Sequence, residues 1–402
     1  MEKTKIVIIG GGFGGVYTAR YLDKLLGKKV EITLINKSNY FLFTPLLHEV
    51  ATGGLTQDSI VEPIREVFRG ENISFVEDSV IEVKKETKEV LTSRVTYSYD
   101  YLVISTGAET NYFGIPGAKE HTFTLKNLQD AIAMRNHIIE TFEKAIATKN
   151  KDLLSFAVIG AGATGIELVA ELAEYVRDTL CVYYKDSGLS REDVKVTMLT
   201  NLPEILTVFP SDMRKIALAE LKKKGIDVKV NTTVVKVDSH LITFSDNTNL
   251  SSHTIIWVAG VKPSVLEIKG LEAGQKGRID TNEYLQTIKH PEIFALGDAG
   301  GSSPMLAQVA VQQAKVVARN IDALIDHTPL TKFTFFQKGL LISIGQWYAV
   351  GHFLGLTFKG RLMWLLWRAI YLVNFLSLRK KIEIAFEWTV NFFYPRDITY
   401  IK

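Results

Sequence analysis

The stretch KIVIIGGGFGGVYTARYL, residues 5–22, constrains the fold more than any other part of the chain. A continuous apolar run closed by glycines suits a strand buried on both faces of a parallel sheet. Gly10, Gly12 and Gly15 then fall at G-x-G-x-x-G spacing, and Val16, Ala19, Leu22 and Leu26 continue with a helical period. In that order of elements the first glycine makes the tight turn and the second lets a pyrophosphate approach the backbone. The third packs helix on strand, and the helix N-terminus presents its amides to the phosphates. The frame returns in SFAVIGAGATGIELVAEL, residues 155–172, at Gly160, Gly162 and Gly165. Two such fingerprints in one chain imply two bound dinucleotides, most economically a flavin dinucleotide first and a nicotinamide dinucleotide second.

The acidic ribose ligand that often ends the next strand is missing from both repeats. Asn36 follows EITLI in the first, and its amide still offers hydrogen bonds to a ribose hydroxyl. Thr200 follows KVTML in the second, which weakens rejection of a 2′-phosphate. No arginine follows directly in NLPEIL, so NADH is favoured over NADPH. YDYLVISTGA (residues 99–108) and HTIIWVAGVKP (residues 253–263) are apolar runs that end in glycine turns at Gly107 and Gly260. HPEIFALGDAGG (residues 290–301) ends a strand at Gly297-Asp298, and LAQVAVQQAKVVARNI follows with helical spacing. On that helix Gln308 and Gln312 share a face, whereas Gln313 points about 100° away and reads as a surface residue.

At 402 residues the chain exceeds one ordinary core. Its 47% hydrophobic and 23% charged residues are those of a globular protein. A single cysteine, Cys181, excludes a Cys-x-x-Cys redox pair, an intramolecular disulfide and a cysteine-based metal site. Dithiol–disulfide and sulfide:quinone chemistry are disfavoured for the same reason, and no histidine–carboxylate spacing suggests a metal. No apolar leader precedes Ile6, so no secretory or transit sequence is expected. From Lys359 onward eight Lys/Arg stand against three Asp/Glu, a charge of +5 in a chain of net +3, which leaves −2 for the rest.

That basic tail contains GRLMWLLWRAIYLVNFLSLRKK, residues 360–381. As one helix, residues 362–378 extend ~25 Å, short of the ~30 Å hydrocarbon core, with Arg368 in the middle. Basic flanks at Arg361, Arg379, Lys380 and Lys381, with Trp364, Trp367 and Trp388, favour a surface anchor with the tryptophans at head-group depth. Residues 360–397 are expected to lie in one leaflet. The basic residues flank apolar runs instead of interleaving with aromatics, so nucleic acid is not expected.

With both fingerprints, NYFLFTPLLHEVATGGL (residues 39–55), AQVAVQQ (residues 307–313) and the tail, the chain resembles the two-dinucleotide flavoprotein reductases. More closely it resembles the type II NADH dehydrogenases, single-subunit NADH:quinone oxidoreductases. The resemblance implies an α/β fold of two Rossmann-like dinucleotide-binding domains plus a C-terminal amphipathic membrane-anchoring region. Residues 1–115 with 265–330 would bind non-covalent FAD, residues 116–264 NADH, and residues 331–402 the membrane. FAD would lie on Gly10, Gly12, Gly15, Asn36, Lys37, Thr106, Gly107, Asp298 and Ala307. NADH would lie on Gly160, Gly162, Gly165 and Glu167, and quinone beside Gln308 and Gln312. Further cofactor contacts are expected at Gly14, Thr44, Gly260, Gly297 and Gln308.

His48 is expected either at the flavin or quinone entrance or as a hydrogen-bonded structural histidine. Glu167, near the start of the second fingerprint helix, is either a carboxylate favoured by the helix dipole or a residue that positions rings or relays protons. The implied activity is non-proton-pumping: hydride passes from NADH to FAD, then two electrons to a membrane quinone. The expected location is peripheral, on the cytoplasmic face of the cell membrane, with a homodimer open. Two alternatives stand beside it: a soluble FAD-dependent NAD(P)H reductase of a ferredoxin-type carrier, and a redox-binding module that signals its flavin state through the tail.

Overall fold

The computed structural model describes residues 3–264, 274, 277–301 and 303–400. These fall into two compact units, each built from three stretches of chain: residues 1–42, 61–109 and 261–336, and residues 43–60, 110–260 and 337–402.

The first unit is organised by a parallel sheet in the order Ile293–Ala295, Tyr101–Ile104, Thr4–Ile9, Val30–Asn36, Ile73–Glu77. The N-terminal strand lies at its centre, with Ile6 opposite Ile32 on one side and Tyr101 on the other. Both faces of that strand are covered, and Ile6 and Ile8 are fully buried, as the unbroken apolar run requires. The helix Phe13–Leu26 packs against the helix Ala307–Ile325, Val16, Ala19 and Leu22 forming the buried stripe of the former. A three-stranded antiparallel sheet, Val80–Lys84, Glu89–Thr92 and Thr96–Ser98, completes the unit, with Val83 and Val90 joining the core of Val7, Ile9 and Leu102.

The second unit repeats the plan with a parallel sheet in the order Asp227–Lys229, Lys195–Leu199, Ser155–Ile159, Thr254–Trp257. Its long helix Leu128–Thr148 starts on a capping box in which Asn127 accepts from the Asp130 amide and Asp130 answers to the Asn127 amide. Two antiparallel three-stranded sheets are added, Val234–Asp238 with Leu241–Phe244 and Asn249–Ser251, and Leu340–Ser343 with Ala349–Phe353 and Leu356–Gly360.

These boundaries differ from the three-part division drawn from the sequence. Residues 43–60 join the second unit because the short helix Leu47–Ala51 packs on the helices Leu128–Thr148 and Ala163–Glu174. Residues 337–402 join it too, instead of forming a separate region. The expected boundary at 265 lies outside the described residues.

The apolar tail is two helices, not one: Arg361–Val373 and Leu378–Val390. Asn374 ends the first, its side chain donating to the Ile370 carbonyl at 2.8 Å, and Ser377 caps the second by accepting from the Lys380 amide at 3.2 Å. Among the described residues no helix is long and apolar enough to cross a membrane.

Candidate functional site

In the first unit the fingerprint makes a cradle by close approach of backbone to backbone. Gly10 has φ +105°, and a side chain there would strike the Ser105 carbonyl. A Cβ on Gly15 would fall on the Gly10 carbonyl oxygen, whereas one on Gly12 would meet nothing within 4 Å. The middle glycine therefore borders open space at the start of a helix whose N-cap, Gly12, has no side-chain cap. This arrangement of open Cα and helix N-terminus fits the pyrophosphate of a dinucleotide. Asn36 accepts from the Gly11 amide at 2.9 Å and donates to the Ser38 carbonyl at 2.8 Å, so its amide first fastens the loop. Lys37 is exposed. Gly14 lies against Leu296 and Ser105, and Ser105 donates to the Ile9 carbonyl at 2.9 Å. Thr106 donates to the Ser264 carbonyl at 2.6 Å, and Gly107 turns at φ +74°.

Gly297 and Asp298 form a one-turn helix after the strand Ile293–Ala295, and Ala307 opens the glutamine helix. The glutamines correct an expectation. Gln313, read as a surface residue, is fully buried, and its Oε1 accepts from the Gly297 amide at 2.7 Å. It braces the Gly-Asp turn because the helix packs that face inward. Gln312 is engaged with the backbone of Phe336, donating to its carbonyl at 2.9 Å and accepting from its amide at 3.1 Å. Gln308 is half-buried in the first turn of the same helix.

The second unit builds the same cradle. Gly160 has φ +119°, a Cβ on Gly165 would fall on the Gly160 carbonyl oxygen, and Gly162 borders open space. Thr200 is buried, and its hydroxyl accepts from the Leu202 amide at 3.2 Å, closing the turn where an acidic ribose ligand is often found. Gly260 lies beside the Phe113 ring.

Beyond Gly165 the two repeats differ. The helix Ala163–Glu174 turns Glu167 and Glu171 inward, 8% and 4% exposed. Burial pushes Glu167 up to about 8, opposed by the Ser343 amide that donates to it at 3.2 Å and reinforced by Glu171 and Glu49. Burial, not the helix dipole, is thus its dominant environment. Burial also works to raise Glu171, but Arg396, His48 and Arg368 outweigh it and hold the carboxyl below its usual range. Arg396 is buried and ion-paired to Glu171, and it reaches Glu174 at 3.1 Å. Glu174 also meets Lys224 at 2.5 Å.

Glu49, 2% exposed, joins this cluster from the short helix Leu47–Ala51. Burial lifts it to about 7 against the pull of Arg368. Its neighbour His48 is buried and pushed down to about 4, first by burial, and its Nε2 has no hydrogen-bond partner among the described residues. Thr44 is exposed at the head of the same segment. His48 and Thr44, expected at a cofactor, both belong to the second unit.

The tail corrects a second expectation. Trp364, Trp367 and Trp388 are 1%, 0% and 4% exposed and are core residues of the second unit. Arg368 is enclosed with them, its guanidinium 4.0 Å from the Trp364 ring and 4.6 Å from the Trp388 ring. An arginine of an amphipathic helix needs a partner when turned inward, and here aromatic faces and acids supply it. Glu49, Glu171 and Arg396 were not singled out from the sequence, and Arg368 and Gln313 were read as surface residues. The spacing of Glu167, Glu171 and Glu174 along a helix otherwise rich in Ile, Leu, Val and Ala was the available signal.

Two Rossmann-like units, each with a dinucleotide cradle, define a two-dinucleotide flavoprotein reductase. Residues 4–314 match the family described as pyridine nucleotide-disulphide oxidoreductase, and residues 337–397 match the NDH2 C-terminal domain. Over 374 residues the chain is 32% identical to the type II NADH:quinone oxidoreductase of Staphylococcus haemolyticus, covering 90% of this chain and 92% of that one. It is 30% identical over the same length and coverage to the enzyme of that name from Staphylococcus aureus. The chain belongs to the pyridine nucleotide-disulphide oxidoreductases and, within them, to the type II NADH:quinone oxidoreductase family. The structure of NDH2 from Plasmodium falciparum in complex with NADH shares the fold, with a TM-score of 0.90 at 24% identity over 99% of this chain and 100% of that one. The sulfide:quinone oxidoreductase of Aquifex aeolicus shares it less closely, at a TM-score of 0.75 and 20% identity over 92% and 90% of the two chains.

Proposed function

We propose that this chain oxidises NADH and reduces a membrane quinone, with the balance NADH + H⁺ + quinone → NAD⁺ + quinol. The first cradle holds FAD through Gly10, Gly12, Gly15 and the Gly297-Asp298 turn, and the second holds NADH through Gly160, Gly162 and Gly165. When bound, FAD supplies the two-electron chemistry between donor and acceptor. The chain's own residues orient both nucleotides, hold water out and keep protons in reserve. The observation that carries the reading is Glu167, a carboxyl turned inward on the fingerprint helix of the second cradle, where burial favours its protonated form. Quinol formation needs such a proton source, whereas a one-electron carrier protein does not. Glu167→Gln is expected to lower turnover with a short-chain ubiquinone analogue by about 100-fold, in the range for loss of a general acid. Reduction of ferricyanide, which takes up no proton, is the control, and equal turnover of wild type and variant with the quinone would sink the role. Gln308 is proposed to bond the quinone, and Gln308→Leu is expected to raise KM for quinone more than it lowers kcat.

The membrane role rests on the outer faces of the tail helices. Leu362, Leu365, Leu366 and Val373 on one, and Leu378, Ile382 and Phe386 on the other, are exposed at helical spacing beside Arg361 and Arg379. An exposed apolar stripe with basic neighbours favours binding in one leaflet of an anionic bilayer, here on the cytoplasmic face where NADH is made. Replacing Leu366 and Phe386 together by aspartate is expected to abolish co-sedimentation with anionic vesicles.

A further inference from the structure

Resting on the reading of Glu167 as the proton-holding acid, we infer that Glu49, on the short helix packed against that of Glu167, is a second proton-supplying carboxyl governed by Arg368. Glu49 Oε2 accepts from the Trp388 indole at 2.8 Å, while Oε1 is 3.9 Å from Arg368 Nη2, beyond a hydrogen bond. A carboxylate permanently paired to arginine sits nearer 2.8 Å. Arg368 is instead held by the Trp364 and Trp388 rings, and its Nε and Nη1 have no acceptor among the described residues. Its charge is therefore at hand to receive a negative charge that comes and goes on Glu49.

A second observation points to chemistry at the same place. Trp367 Nε1 is buried without a hydrogen-bond partner, yet lies close enough to Glu167 and Tyr371 to favour their ionised forms. The other groups facing Glu49 are unsuited to donate at neutral pH. Glu171 is held ionised by Arg396 and Arg368, and His48 is held neutral. Arg396 and Arg368 keep their protons. Burial lifts Glu49 to about 7 and Glu167 to about 8, with Glu171 raising both and Glu49 raising Glu167 through like charge.

In the step inferred, the O–H bond of protonated Glu49 breaks as one forms on the Glu167 carboxylate. No electrons move between them. Glu49, left anionic opposite Arg368, takes its next proton from solvent, which accounts for the one proton drawn from the medium per NADH oxidised. Glu49 is thus a positioning residue for protons and does not touch the quinone.

The experiment compares wild type, Glu49→Gln, Glu49→Asp and Glu167→Gln, loaded with FAD, across pH. NADH is donor, with a short-chain ubiquinone analogue or ferricyanide as acceptor, and infrared difference spectra report protonated carboxyls. Glu49→Gln is expected to lower kcat with quinone by roughly ten-fold while KM changes little. It should also remove one protonated-carboxyl band, and Glu49→Asp should restore part of the rate. Loss with both acceptors to the same degree, without rescue by aspartate, would mean a structural role and overturn the inference. So would a full complement of carboxyl bands in Glu49→Gln. If Glu167→Gln is impaired and Glu49→Gln is not, only this inference fails; if Glu167→Gln is unimpaired, the underlying reading fails as well. Should Glu49→Gln not fold, Arg368→Gln decides. Loss of that positive charge must carry the alkaline limb of kcat to higher pH, and an unmoved limb overturns the proposal.

Discussion

The two fingerprint helices begin alike and diverge within two turns. In Phe13–Leu26 the buried face is glycine and aliphatic apart from Thr18, whose hydroxyl is spent on the Gly14 carbonyl at 2.7 Å. In Ala163–Glu174 the same face carries Glu167 and Glu171. The cradle itself demands nothing of the kind, since the first repeat forms it without a buried charge. Taking carboxyls out of water costs several kcal/mol apiece unless they are paired or keep their protons. The second repeat uses both remedies, pairing for Glu171 and protonation for Glu167. A cost accepted in one copy and avoided in the other marks where the chemistry lies.

The comparison is most easily broken at Arg396. Arg396→Ala leaves Glu171 buried without its ion-pair partner and is expected to lower unfolding stability by about 3–5 kcal/mol, read by denaturant titration. A next test is the pH dependence of stability. Glu167 has a folded value of about 8 against an ordinary 4.5, so the folded state binds the extra proton between those limits. Its contribution is therefore fully present below 4.5 and is lost as pH rises to 8. Glu167→Gln should remove a slope on the order of a few kcal/mol over that window, and thermal melts that run parallel to wild type from acid to alkaline pH would contradict it.

The likeness of the repeats is sharpened by paired substitutions. Gly15→Ala and Gly165→Ala each place a methyl group on the carbonyl oxygen of the fingerprint's first glycine, Gly10 or Gly160, so each is expected to cost about 1–3 kcal/mol. Similar losses would show that the cradles are built to one tolerance, and a markedly smaller loss at either would show that they are not. The smallest effect is at Trp388. Trp388→Phe keeps the ring but removes the 2.8 Å bond to Glu49, and should cost roughly 1 kcal/mol by denaturant titration.

Much of the scaffold is legible in the sequence because it is local. A strand of four aliphatics, three glycines in frame and a helical stripe lie within 18 residues, so the pattern that specifies them is contiguous in the chain. Glu167 is legible for the same reason, being two residues past a fingerprint glycine. Its surroundings are not, because Glu49, Trp388, Arg368 and Arg396 come from segments far apart in the chain. Arg368 shows the difficulty well. Its position in an apolar run suggests a charge held at a lipid surface, yet it is turned inward on Trp364 and Trp388, and only tertiary packing decides between the two faces. Gln313 is a similar case: its angle to Gln308 and Gln312 was readable, but which side of that helix meets the core was not.

The pairing of Arg396 with Glu171 also bears on how the molecule is made. The chain leaves the ribosome with Glu171 exposed and has 225 residues still to add before its arginine appears. Until then the second unit cannot close over that carboxylate without stranding it. The order of synthesis thus delays completion of this unit until Arg396 itself has been made.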